Sequence, residues 1–408
     1  MSKHIGGSVA VGVTLAALLG VTACLPAAER PGAKRVDIGE PPTTASVSAQ
    51  SGRLFPGFDI TSEVETDSTP FAVGKTFVGS AFPRDDRSRL SFYGFDATGT
   101  TWRVDTNPSC VGTVPTQVGG EAAIVILDSD ARKDSSGRVS ITVATAFSAA
   151  DGEPLWGPTE VPGPSPGTGL VFANTPKALT SERTPTTLLA ADSGTVVGEP
   201  AGTALYEYQG TALEGAADSF SALDSGTGET LWSTAQLSPG PSVAGAGATA
   251  RFEGAYGPST GGLVILEWAD PAGAAVAVVH DLRTGAPLGK VEGTPSGMAT
   301  VDDSTQTVLL TSQRTDGTHS ITAARPRGGI LWSMESSSPA VVSAAGAGMA
   351  YAQVNGEAAR IDLDSGTILA SGDYALPVAV LPDGTALFPT DQPGTYAVAV
   401  ARGTSATG

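Results

Sequence analysis

The chain has 408 residues, with 52 Gly, 29 Pro and only 16% charged side chains. This balance suits many short strands joined by tight turns and excludes a helical protein, since no long apolar run of period 3.6 follows residue 25. A net charge of −18 opposes binding to nucleic acid and to anionic lipid headgroups.

Residues 1–23 read as an export signal. Lys3 and His4 form a short polar start, an uncharged and mostly apolar run extends from Ile5 to Val21, and the small residues Thr22 and Ala23 follow. An uncleaved membrane helix is the competing reading, because the uncharged stretch continues to Ala28. Four glycines and Pro26 interrupt it. The sequence Val21-Thr22-Ala23-Cys24 resembles the lipobox of bacterial lipoproteins. That resemblance implies cleavage before Cys24, acylation of its thiol, and a protein anchored on the extracytoplasmic face of the cell membrane. Residues 24–53, with Pro26, Pro31, Pro41, Pro42 and the run from Thr43 to Ser48, are expected to be a disordered tether.

One pattern then recurs: an alternating apolar run, an Asp, a few polar residues, a Gly, and often Leu-Trp. Its clearest copy is Phe220-Ser221-Ala222-Leu223-Asp224-Ser225-Gly226 followed by Leu231-Trp232. Copies end at Gly99, Gly152, Gly226, Gly285, Gly329 and Gly366, and Gly403 looks like a seventh. Each copy reads as strand, turn, strand. The Asp accepts backbone hydrogen bonds, the Gly takes the positive φ that closes the turn, and the Trp packs between neighbouring sheets. By this logic Trp232, at the motif, contributes more to stability than Trp268, outside it.

The repeat predicts an all-β fold: a single β-propeller over 54–404 and a short disordered tail at 405–408. Spacing favours seven blades of about 50 residues, with eight of about 43 left open if Asp192-Ser193-Gly194 is counted. Residues 158–232 are long for one blade and short for two. Because the last repeat stops at Gly403, residues 54–60 are expected to supply the missing strand and close the ring.

These Asp-x-x-Gly and Leu-Trp repeats resemble the quinoprotein-like (PQQ-like) propeller superfamily over about residues 54–403. The superfamily includes quinone-dependent dehydrogenases and non-enzymatic envelope lipoproteins, among them the propeller subunit of the outer-membrane barrel assembly machinery. The dehydrogenases use an adjacent cysteine pair and an Asp–Glu–Asn calcium site; here Cys110 stands alone and no such set is visible. Once Cys24 is acylated, Cys110 has no partner in the chain.

No residue pattern identifies a catalytic site, cofactor or metal. Three histidines, His4, His280 and His319, are too few and too scattered for a triad or metal set. Gly163-Pro164-Ser165-Pro166-Gly167 matches a nucleophile elbow only formally and reads as a linker. Gly245-Ala246-Gly247-Ala248-Thr249-Ala250 lacks a βαβ setting and reads as a Gly-rich approach to an inner strand. Asp128-Ser129-Asp130, with Asp134 and Gly137, reads as a solvated acidic turn rather than a calcium loop. The expected function is a membrane-anchored, non-catalytic binding or assembly scaffold with an envelope protein partner. Capture of a small ligand or glycan, and an enzyme with residues drawn from several blades, are the alternatives.

Overall fold

The computed structural model describes residues 33–38, 53–84, 87–107, 112–134, 137–166, 169–173, 186–216, 219–240, 249–252, 261–269, 275–296 and 299–402. Cys24, Cys110, Gly403 and most of the Gly245–Ala250 stretch lie outside them. The described residues form eight antiparallel up-and-down sheets, in chain order except for two strands contributed by the N-terminal segment, and the arrangement is an eight-bladed β-propeller. Blade 1 holds Phe71–Val73, Thr76–Ala81, Leu90–Asp96 and Gly99–Thr106. Blades 2 to 7 occupy 112–161, 171–202, 204–233, 249–291, 294–336 and 341–372. Eight is the count the repeat spacing left open rather than the seven it favoured, because Asp192-Ser193-Gly194 closes the turn of a blade of its own. The long stretch 158–232 resolves into one reduced blade, with three described strands, and one full blade of four.

Blade 8 takes its outer strand from the other end of the chain. Phe58–Glu65 pairs antiparallel with Thr395–Ala401, from Phe58 opposite Ala401 to Glu65 opposite Thr395. The closing strand thus begins four residues later than the 54–60 stretch singled out in the sequence. Leu54 and Phe55 instead pack into the blade 7–8 seam, where Phe55 meets Tyr351 and Tyr374. The Asp59 carboxylate and the Arg402 guanidinium lock the top of the closing pair at 2.6 and 2.8 Å.

Eight apolar clusters lie one to each seam between blades. Four seams carry a motif Trp on the outer strand of one blade, and each indole N–H donates to a turn carbonyl of the next. Trp102 bonds Ala149 at 2.8 Å, Trp156 bonds Ala191 at 2.7 Å, Trp232 bonds Leu282 at 2.9 Å, and Trp332 bonds Leu363 at 2.8 Å. The turn glycine of the receiving blade lies under the indole. Gly194, at φ +65°, has no room for a Cβ against the Trp156 ring. The remaining seams close with aliphatic or smaller aromatic groups, such as Phe77 and Phe95 between blades 8 and 1.

Strand alternation gives the ring two different faces. Hairpins joining first to second and third to fourth strands open on one, the turn face. Hairpins joining second to third strands, and the connections between blades, open on the other, the loop face. From the loop face of blade 2 the strands Glu121–Asp134 and Gly137–Ser148 run on past their neighbours, paired as far as Asp134 and Gly137. Asp128 therefore lies in a strand, not in a solvated turn: it is fully buried and its carboxylate accepts the N–H groups of Asn107 and Ser129.

The tether expected at 24–53 also contains structure. Lys34–Val36 adds a fifth strand to the rim of blade 1, with Lys34 opposite Asp105 and Val36 opposite Arg103. Ala33 packs against the blade 1–2 cluster, and Arg35 donates to the Asp151 carbonyl and pairs with Glu153 at 3.3 Å. The unpaired edge of the outer strand accounts for this addition.

Two expectations follow. Trp232→Ala should cost about 3–5 kcal/mol. Trp268→Ala should cost within about 1 kcal/mol of the same amount, against the sequence ranking, because both side chains are buried in one cluster. Thermal melts of the two variants check this. Starting the chain at Asp67 removes the whole closing strand and should lower Tm and promote aggregation, while a start at Ser51 keeps it; melting and light scattering compare them.

Candidate functional site

The repeat's own turn chemistry lines the turn face with carboxylates. Asp224 Oδ1 accepts the N–H groups of Gly226 and Thr227, and Asp362 Oδ1 accepts Ser365 N–H and Oγ–H. These bonds hold Asp362 below the usual carboxylate range, the Ser365 hydroxyl contributing most. The same turns are tied across seams. Arg283 of blade 5 reaches Asp224 of blade 4 at 3.1 Å, and Arg325 of blade 6 reaches Asp364 of blade 7 at 2.6 Å.

Blade 3 departs from this regularity. The stretch Val161-Pro162-Gly163-Pro164-Ser165-Pro166 precedes Val171–Ala173, and its three prolines offer no N–H to a ladder. Among the described residues its backbone makes one bond to that strand, from Ala173 N–H to the Pro164 carbonyl. Ser165 does not stand on a strand-to-helix turn; its hydroxyl donates to the Gly169 carbonyl. The formal nucleophile-elbow match is therefore a connection between blades, as the prolines indicate.

Glu207, on the inner strand Ala204–Tyr208 of blade 4, spans the junction between blades 3 and 4. It is 3% exposed, and its two oxygens accept Leu170 N–H and Gly210 N–H, each at 2.9 Å. Burial pushes its carboxyl up. Next to it, burial raises the Tyr208 hydroxyl first, and the Asp303 charge raises it further. Asp303 keeps solvent contact, yet the surrounding protein, and then the Asp302 charge, raise its carboxyl too.

Above this junction the turn face opens into a cleft of about 310 Å³. Four blades contribute: Gln117 from blade 2, Asp192 from blade 3, Gln209, Asp224 and Ser225 from blade 4, and Arg283 from blade 5. Asp192 Oδ1 accepts Gly119 N–H and so ties blade 3 to blade 2. The Ser225 hydroxyl is buried and has no hydrogen-bond partner. The set is polar and carries one negative charge more than positive, which suits amide, hydroxyl or cationic groups.

None of these cleft residues was singled out for binding in the sequence. Asp224 and Arg283 were visible only as turn residues. Gln117 and Gln209 carry no motif at all. Cys24, the one site residue the sequence named, lies outside the described residues. No group of three or more His, Cys, Asp or Glu among the described residues is placed to hold a metal ion. His280 instead serves packing: it is fully buried, accepts the Trp268 indole N–H at Nε2 (3.0 Å), and so donates from Nδ1 to the Gly285 carbonyl (2.9 Å).

No family model and no curated protein matches the sequence. Solved structures do match, a β-propeller domain and a WD40 domain among them. The β-propeller domain of Myceliophteria thermophila Cps50 (Swd1) is 10% identical, with 84% of this chain and 99% of that chain covered and a TM-score of 0.37. The WD40 domain of Toxoplasma gondii coronin is 11% identical, with 85% of each chain covered and a TM-score of 0.35. The uncharacterised lmo1340 of Listeria monocytogenes is 9% identical, with 86% and 90% covered and a TM-score of 0.35. Similarities this low bear on neither family nor function. The strand pairing of the chain itself defines the class.

His280 provides a pH test. Burial holds its imidazole below the ordinary value. The unfolded chain therefore binds the proton more readily, and stability is complete above about pH 6.5 and declines as pH falls through that value. Protonation also removes the acceptor for Trp268. The expected outcome is a Tm that falls between pH 7 and pH 5, with a shallower slope in His280→Asn, measured by calorimetry in matched buffers.

Proposed function

We propose that the protein is a lipid-anchored binding scaffold on the extracytoplasmic face of the cell membrane. In this reading the turn face receives an envelope protein partner. The observation that carries it is the cleft: four blades, tied at successive seams by the Trp156 dock, by Glu207 on the Leu170 N–H, and by the Trp232 dock with the Arg283–Asp224 pair, converge on one polar depression. A rigid frame lowers the ordering cost of recognition, because the contact groups are already in place. Excess carboxylate on the turn face favours a partner segment rich in amide or cationic groups. The Val21-Thr22-Ala23-Cys24 stretch supports the anchor, and two acyl chains are enough for stable attachment. The Leu-Trp docks support placement in the quinoprotein-like superfamily, on its non-enzymatic side. The buried, unpartnered Ser225 hydroxyl favours a second reading, in which a small hydroxylated ligand or glycan fills the same cleft.

Three measurements test the proposal. Cys24→Ala should abolish incorporation of a fatty-acid analogue and either release the protein or leave the precursor uncleaved; label that persists on the variant refutes the anchor. A photo-crosslinking side chain at Gln117 or Gln209 should capture the partner in intact cells, while one at Leu369 on the outer rim should not. Asp192→Ala combined with Asp224→Ala should weaken that partner about tenfold, roughly 1.4 kcal/mol. Capture from Leu369 alone overturns the choice of face.

A further inference from the structure

The strand Lys34–Val36 does more than cover an edge, because its direction is set. The outer strand of blade 1, Gly99–Thr106, leaves the turn face at the Asp96–Gly99 hairpin and ends at the loop face, where Thr106 lies opposite Leu90. Lys34 pairs with Asp105, near the loop-face end, and Val36 pairs with Arg103, closer to the turn face. The chain from Cys24 therefore reaches the ring at the loop-face end of blade 1. It is held there by three consecutive pairs, by Ala33 in the blade 1–2 cluster, and by Arg35 on the Asp151 carbonyl and Glu153.

The reach of the anchor changes accordingly. Cys24 and Ala33 are nine residues apart, a span of about 30 Å at full extension. Had the tether been free as far as Arg53, 29 residues would have allowed about 100 Å. A leash this short, attached at one end of one blade, does not let a propeller turn over freely. We propose that the rim strand orients the ring on the lipid bilayer, with the loop face toward the headgroups and the turn face, with its cleft, toward the extracytoplasmic space. The inference rests on the lipid anchor proposed above. It uses no attraction between protein and headgroups: a chain with a net charge of −18 is repelled by an anionic surface.

The test uses the full lipidated protein in vesicles of phosphatidylcholine with a tenth phosphatidylglycerol and a headgroup-linked acceptor dye. Donor dyes are placed one at a time at Thr203→Cys, on the loop face of blade 4, or Thr227→Cys, on the turn face of the same blade. Both are made in a Cys110→Ser background. The expected result is markedly stronger energy transfer from position 203 than from position 227. In Arg35→Glu, which sets a carboxylate against Glu153 and frees the leash, the two efficiencies should converge. Equal transfer in the parent protein, or stronger transfer from position 227, overturns the orientation while leaving the anchor intact. Absence of fatty-acid label at Cys24 overturns the anchor and the orientation together. Amide hydrogen exchange at Arg35 and Val36 checks the strand itself, and exchange as fast as in an unfolded peptide sinks the inference even if both dyes report a tilt.

Discussion

The hydrogen bond from a motif Trp to the turn carbonyl of the next blade governs how this ring is built. An indole buried for its area still has one N–H to satisfy, and leaving it unpaired costs about 1–3 kcal/mol. The acceptor it uses is a carbonyl at the neighbouring third-to-fourth hairpin, and the ring can approach it because the glycine beneath has no side chain. Packing, hydrogen bonding and turn conformation thus select the same inter-blade angle. Four seams fixed in this way leave the aliphatic and Phe-lined seams little freedom, and the last is closed by a strand from the start of the chain.

That regularity makes blade 3 informative. Prolines in place of an inner ladder strand remove donors that a sheet would use, so the junction needs another source of order. Glu207 supplies it by accepting two backbone N–H groups from inside the protein. A buried carboxylate without a cation is an expensive choice for structure alone. It accepts the N–H of Gly210, which lines the cleft. The reduced blade and the polar cleft of the turn face lie together, which is where departures from local consistency are expected to concentrate.

Under the proposed anchor, the polarity of a single short strand would connect this geometry to the cell surface. Three residues at the rim of blade 1 contribute little stability. Because an antiparallel pair has a direction, they decide from which side the N-terminal chain arrives. A membrane anchor upstream would convert that direction into an orientation of the whole ring.

Much of the architecture was legible in the sequence because its signals are local. Asp, Gly and Trp report turn chemistry within about ten residues, so the hairpins and their approximate spacing could be read directly. A repeat that stops one strand short implied that the ring closes through the N-terminal segment. Tertiary structure decided what depends on distant residues. The blade count turned on whether a proline-rich stretch and a lone Asp192-Ser193-Gly194 turn make a sheet, which only pairing between 171–173 and 186–189 settles. Trp268 gained its weight from a histidine across the strand pair, and Asp128 left the solvent because Asn107 lies beside it. The cleft gathers residues from 117 to 283, some from the repeated turns and others without any motif, because a closed ring brings together turns that the chain keeps far apart.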